Sequence, residues 1–170
     1  MAEQWEQNYL ESICEAMEGN AYDAFIEDIG GAPAIIIDYG DNSDGLPKTM
    51  KLSIEHIVQN TCQFQIMAEL FSNIDDKSFS DIEKVTAHIN QFLTVGNATI
   101  FFGNRSMFYN YAFLFTKEMT TDTVTLLLAS AMDIILITAK KIIEILTPLI
   151  EGRTTAQALI ESNISILQGG

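Results

Sequence analysis

Few residues in this 170-residue chain combine into a recognisable reactive set. The two histidines are His56 and His88, and the two cysteines are Cys14 and Cys62. None of the motifs HExxH, CxxC and GxSxG occurs, and no glycine-rich loop has the pattern that binds phosphate. A metal site would have to combine distant histidines with acids, and nothing in their spacing favours one. The sequence therefore predicts a protein that is not an enzyme and that has no cofactor.

The 23 acidic residues offer two candidates for carboxylate chemistry. Asp75 and Asp76 are adjacent, but they lie between a predicted strand and a predicted helix, where solvated turn acids are usual. Asp133 lies within a long apolar stretch, where a buried carboxyl group would mark a functional site. The alternative is that Asp133 shares an exposed polar stripe with Ser130 and Lys141, and the helical spacing favours that alternative.

The charge of the chain is strongly negative and unevenly distributed. Nine basic residues oppose the 23 acids, which makes the net charge −14. No Lys or Arg precedes Lys48, whereas eleven acids lie between Glu3 and Asp44. Phosphate would be repelled, so nucleic acids and anionic membranes are not expected as partners. The acidic N-terminal part predicts either solubility alone or the steering of a basic protein partner.

The cysteines and the N-terminal sequence indicate the cellular compartment in which the protein is expected. Cys14 and Cys62 are too few for a disulfide framework, and both fall on apolar flanks, so we expect buried thiols. The N-terminus lacks the basic and apolar regions of a signal peptide, which predicts a reducing cytoplasm. In the acidic loop over residues 40–47, an EF-hand would place ligands at Gly40 and Lys51, and this mismatch favours a solvated loop over a calcium site.

A predicted β-hairpin over residues 98–116 organises the rest of the chain. Two apolar runs flank the polar break at 103–106, which is typical of a short hairpin loop. Alternate positions of the second run are bulky, and we expect these side chains to face the core. They are Met107, Tyr109, Tyr111, Phe113 and Phe115. The other side of this run is also largely apolar, so it needs cover or a partner.

Further strands are predicted before the middle of the chain. Residues 49–56 and 62–71 alternate apolar and polar side chains, as strands with one dry and one wet face do. Residues 34–37 form a short apolar strand after a turn at Gly30-Gly31. That turn makes residues 22–29 a strand as well.

Helical periodicity predicts two helices in the first hundred residues. The first covers residues 2–18, carries an apolar stripe from Trp5 to Met17 and ends at Gly19-Asn20. The second begins at the capping box of Ser80 and Glu83 and ends at Gly96.

Two more helices are predicted at the C-terminal end. The longest covers residues 121–150, and its apolar part is too short and too interrupted for a membrane span. Pro148 is expected to kink or stop this helix near Thr147. A short last helix is expected to begin at a cap made by Thr154 and Gln157.

The resulting order is a helix, three or four strands, a helix, two strands and a long helix. It resembles YbjN-type proteins and the type III secretion chaperone-like fold that they share, through residues 50–71, 80–95 and 100–115 and the closing helix. The resemblance covers residues 1–150. It implies an α+β fold in which helices flank an antiparallel sheet, and a small, acidic, homodimeric and non-enzymatic chaperone or regulator. The tail beyond Pro148 departs from the pattern, as does the strand over residues 22–29.

We therefore expect a single α+β domain over residues 1–152, followed by a short helix and tail over 153–170. The leading functional hypothesis is a cytoplasmic homodimer that binds a protein or peptide, with a basic partner if the acidic surface steers it. The partner or the second subunit is expected on the outer face of the sheet or at a free sheet edge. The residues expected there are Met67, Phe71, Phe108 and Leu114.

Two alternatives stay open from the sequence. The first is a small-ligand sensor with a pocket between the sheet and the long helix, where Tyr111 and Asp133 supply polar contacts. The second is an acidic inhibitor of the immunity type, which masks a basic enzyme site with its N-terminal acids.

Overall fold

The computed structural model describes residues 4–18, 23–40 and 45–162. These residues form α1 (Gln4–Glu18), β1 (Ala24–Ile29), β2 (Ala32–Asp38), β3 (Thr49–Val58), β4 (Thr61–Phe71), α2 (Asp76–Asn90), β5 (Asn97–Phe101), β6 (Ser106–Thr116), α3 (Thr121–Ile150) and α4 (Ala156–Glu161). The strands make one six-stranded sheet in the order β1-β2-β3-β4-β6-β5. Every neighbouring pair is antiparallel. The predicted α+β fold, an antiparallel sheet with flanking helices, is confirmed.

The described helices pack on one face of the sheet, which we call the core face. α1 contacts β1 and β2, α3 contacts β4 and β6, and α2 contacts β5 and α3. α4 packs on α2, and its Ala156 belongs to the same core. The predicted inward side of β6 is confirmed, because its odd-numbered residues are buried or pack against this core. They are Met107, Tyr109, Tyr111, Phe113 and Phe115.

The apolar stripe of α1 lies against the sheet as predicted. Leu10, Ile13, Cys14 and Met17 are buried, and the ring of Tyr9 stacks on Phe115 with 5.9 Å between centroids. Neither cysteine forms a disulfide, and both are buried, as expected.

The second helix begins earlier than the sequence predicts. Asp75 is its N-cap and accepts a hydrogen bond from the Lys77 N–H, so the capping box at Ser80 is not used. The additional turn brings Phe79 against Phe102, with 4.9 Å between ring centroids, and this tertiary contact favours the earlier start. The helix also ends before Gly96. The amide of Asn90 bonds both the N–H and the C=O of Ala98, which ties the end of α2 to β5.

Pro148 does not end the long helix, which continues to Ile150. A proline this close to the C-terminal end removes one helical hydrogen bond and leaves little helix to disrupt. The turn closes with a bond of 2.8 Å from the Arg153 N–H to the Pro148 C=O. Thr155, rather than Thr154, caps the last helix, because its hydroxyl oxygen accepts from the Ala158 N–H at 3.2 Å.

The remaining predicted elements lie close to their predicted positions. The hairpin of β5 and β6 is present, and Gly30 and Gly31 join β1 to β2 with φ of 67° and 89°. Predictions at Gly19-Asn20 and within residues 41–44 fall outside the described residues. In the described ranges, none of the helices combines the length and the apolar character of a membrane span.

Candidate functional site

The face of the sheet that points away from the helices carries the second set of alternating side chains. The strand register places Phe25, Ile36, Lys51 and Met67 in one row across β1 to β4. Within residues 4–18, 23–40 and 45–162, the side chains in this row are not part of the hydrophobic core. We call this surface the open face, because no described helix packs on it.

Apolar side chains on the open face are substantially exposed. Leu114 is 61% exposed, Phe25 46% and Phe101 42%. The ring of Phe101 stands edge-on to Phe108, with 5.3 Å between centroids. Because several exposed apolar side chains share this one face of the sheet, the open face is the candidate functional site.

A depression of about 610 Å³ lies on this face over β4, β6 and β5. Its lining includes the side-chain amides of Gln63, Gln65, Asn97 and Asn110. The two asparagine amides donate to the Thr99 hydroxyl at 2.8 and 2.9 Å. In the described part of the chain, the Gln63 and Gln65 amides make no hydrogen bond. An amide offers a donor and an acceptor, as a peptide group does, so the two glutamines can bond a polypeptide backbone.

The charged side chains of the open face are mostly acidic. The register places four carboxylates and one amine on this side of the sheet. They are Glu27, Asp38, Glu55, Glu69 and Lys51. The local field at this surface is therefore negative.

Three of the four residues predicted for the partner surface lie on the open face. Leu114 is exposed, and Met67 and Phe108 are half-buried. Phe71 packs against the core instead, because a β-bulge between Glu69 and Phe71 shifts the register at the end of β4. That these residues bind a partner stays a prediction.

The two residues predicted for a ligand pocket line different cavities. Tyr111 packs against the core and borders the open-face depression. Asp133 lines a separate cavity of about 390 Å³ between α1 and α3, together with Met17 and Met132. Asp133 is exposed on the outer side of α3, as its place beside Ser130 in the sequence predicts. The structure does not bring Tyr111 and Asp133 into one of these cavities, and the sensor hypothesis stays a prediction.

The remaining reactive side chains are dispersed. The ring of His88 stands edge-on to Phe92, and His56 bonds Glu6, a buried acid that sequence reasoning missed. Burial, followed by the charges of Glu18 and Glu15, raises the pKa of the Cys14 thiol, so the nucleophilic thiolate is disfavoured. Among the described residues, no group of three His, Cys, Asp or Glu side chains could hold a metal ion.

No family model and no curated protein matches the sequence. A matching solved structure is the crystal structure of YbjN from E. coli, a proposed transcription regulator. The match has a TM-score of 0.42 and 14% sequence identity, and it covers 79% of this chain and 87% of the YbjN chain. YbjN is also the namesake of the family that the element order resembles. A likeness this weak carries no argument about this chain, and the link to type III secretion chaperones stays a prediction.

Proposed function

We propose that the protein is a non-enzymatic binding protein that holds a basic, partly apolar polypeptide segment on its open face. The observation that carries the proposal is the open-face depression, where backbone-like amides lie beside the apolar side chains of Met67 and Phe101. No helix among the described residues covers this surface. The exposed apolar side chains of the open face are not part of the core, so they are available to contact a partner.

The chemistry of the depression favours a polypeptide over a small molecule. Gln63 and Gln65 lie two residues apart on β4, so their amides are spaced as alternate peptide groups of an extended chain are. Met67 and Phe101 border the same depression and offer apolar contact to the side chains of that chain. Hydrogen bonds to the backbone of the bound segment supply affinity without sequence preference. The apolar contacts determine which side chains of that segment are preferred.

The charge of the protein favours a basic segment. The net charge is −14, and the open face carries four carboxylates against the single amine of Lys51. Attraction between opposite charges accelerates association, and added salt weakens this attraction. Binding that is independent of salt would therefore argue against this part of the proposal.

The test uses a fluorescently labelled 12-residue probe peptide in which lysine and leucine alternate. Fluorescence anisotropy measures its dissociation constant for the wild type and for Leu114→Gln, which removes a highly exposed apolar side chain of the open face without adding charge. We expect Leu114→Gln to weaken binding about tenfold, a loss of about 1.4 kcal/mol. Raising the salt concentration should weaken binding further.

Two controls make the outcome specific. Ile137→Gln changes a side chain of matching exposure on α3, 60% against 61% for Leu114, and should leave binding unchanged. A peptide with glutamate in place of lysine should not bind. The proposal fails if Leu114→Gln binds like the wild type, or if the acidic peptide binds as tightly as the basic one.

A further inference from the structure

A second apolar surface lies on the outer side of α3, away from the sheet. Leu126, Leu127, Ile134 and Ile137 are exposed to 70%, 41%, 40% and 60%. The sheet-facing side of the same helix is buried, and residues such as Leu128 lie in the core. The outer residues therefore contribute nothing to the core of a single chain. We call them, with Ser130, the outer stripe.

The outer stripe has the spacing of a helix–helix contact. Leu127, Ser130, Ile134 and Ile137 follow one another at intervals of three, four and three residues. This alternation is that of the a and d positions of a coiled coil. The stripe extends over about 17 Å at 1.5 Å per residue. The Ser130 hydroxyl donates to the Leu126 C=O at 3.1 Å, so its burial would leave no donor unpaired.

The pattern is self-complementary when two copies run antiparallel. With a two-fold axis level with residue 132 along the helix, Leu127 lies opposite Ile137 of the second copy, and Ser130 lies opposite Ile134 of the second copy. The small serine then faces a branched side chain, which fits close packing. A two-fold contact uses the same patch on both chains, as this stripe does.

Charges beside the stripe also favour this arrangement. Asp122 and Lys140 are exposed on the same flank of α3, near opposite ends of the stripe. The antiparallel pairing brings Asp122 of one copy to within about one helical turn of Lys140 of the second copy. Asp133 lies on this flank close to the axis, where its two copies repel each other. Antiparallel pairing therefore predicts two favourable contacts, because the two-fold axis repeats the pairing of Asp122 with Lys140, and one unfavourable contact, between the two copies of Asp133.

We propose that α3 is the interface of a homodimer, in which two outer stripes pair antiparallel around a two-fold axis. The open face lies on the opposite side of the sheet, so each subunit keeps it accessible. This assembly goes beyond the proposed function and does not depend on it. A dimer of this kind presents two open faces that point away from each other.

Sedimentation equilibrium over a range of protein concentrations tests the interface. The wild type should sediment with twice the 18.9 kDa mass of one chain. Ile137→Glu should weaken the dimer about 100-fold or more, because it places a carboxylate opposite an apolar side chain. Leu114→Glu introduces the same charge at a residue of matching exposure on the open face and should leave the dimer intact. Asp133→Asn should tighten the dimer, because it removes the repulsion at the axis.

Three results would overturn the inference. They are a wild type that stays monomeric at every concentration, an Ile137→Glu variant that dimerises like the wild type, and dissociation by Leu114→Glu. Circular dichroism establishes that each variant is folded. Peptide binding by monomeric Ile137→Glu separates the interface from the proposed function, because that variant retains its open face.

Discussion

The Nε2 atom of His56 and the Oε1 atom of Glu6 form a hydrogen bond that joins strand β3 to helix α1. Glu6 is only 6% exposed, although it belongs to the charged side of its helix by sequence. The ring of Trp5 stands edge-on to His56 at 5.7 Å, and the Lys117 ammonium lies 5.0 Å from the centre of the Trp5 ring. This group of side chains anchors the N-terminal helix to the sheet at the C-terminal ends of β3 and β6.

A double-mutant cycle measures this anchor. His56→Ala should lower the free energy of unfolding by about 1–2 kcal/mol, because the buried Glu6 carboxylate loses a hydrogen-bond partner. Glu6→Gln should cost about 1 kcal/mol, since an amide still bonds the ring. The combined variant should lose less than the sum of the two, because both changes remove the same contact. Urea unfolding at neutral pH provides the values, and strictly additive losses would contradict the coupling.

Periodicity predicts the elements of this fold well and their contacts poorly. Alternation places Met67 and Leu114 on one face because every second side chain of a strand points the same way. Nothing local places Glu6 beside His56, which is fifty positions away and next to a β-bulge. The choice of Asp75 over Ser80 as a cap has a similar cause, because both are good local caps and packing decides between them.

The candidate site is predictable only in part for the same reason. The sequence identifies an apolar outer side for β6, but which face the helices cover depends on the whole topology. The amides of the depression come from three strands, and their proximity follows from the register of β4, β6 and β5. Gln63 and Gln65 resemble ordinary solvent-facing residues in the sequence. No signal in a single strand marks them as part of a site.

Removal of the hydroxyl group from Tyr9 and from Tyr109 should change the free energy of unfolding in opposite directions. The Tyr9 hydroxyl is buried and has no hydrogen-bond partner among the described residues, so Tyr9→Phe should raise the free energy of unfolding by about 1 kcal/mol. The Tyr109 hydroxyl donates to the Val95 C=O at 2.5 Å, so Tyr109→Phe should lower it by about 1–2 kcal/mol. Urea unfolding of both variants makes the comparison, and losses of equal size would contradict it.

Tyr9 should also make stability depend on alkaline pH. Burial, followed by the charge of Cys62, raises the pKa of Tyr9 from its ordinary value of 10.0 to about 12. The neutral phenol is favoured in the folded state, so its contribution is fully present below pH 10 and is lost as the pH rises towards 12. The free energy of unfolding should fall over that range, and less steeply in Tyr9→Phe. Equal slopes for the two proteins would show that Tyr9 ionises as freely in the folded state as in the unfolded one.

Gly96 should tolerate no side chain. Its φ of +69° is a conformation that favours glycine, and an added Cβ would lie 2.5 Å from both the Asn110 C=O oxygen and the Tyr109 hydroxyl. Gly96→Ala should therefore lower the free energy of unfolding by about 2 kcal/mol or more, through backbone strain and displacement of the buried tyrosine. Gly103→Ala is the matched control, because that position faces open space, and it should change stability by less than about 0.5 kcal/mol. Thermal unfolding of the two variants provides the measurement. If both melted like the wild type, the close approach of Gly96 to β6 would not exist in solution.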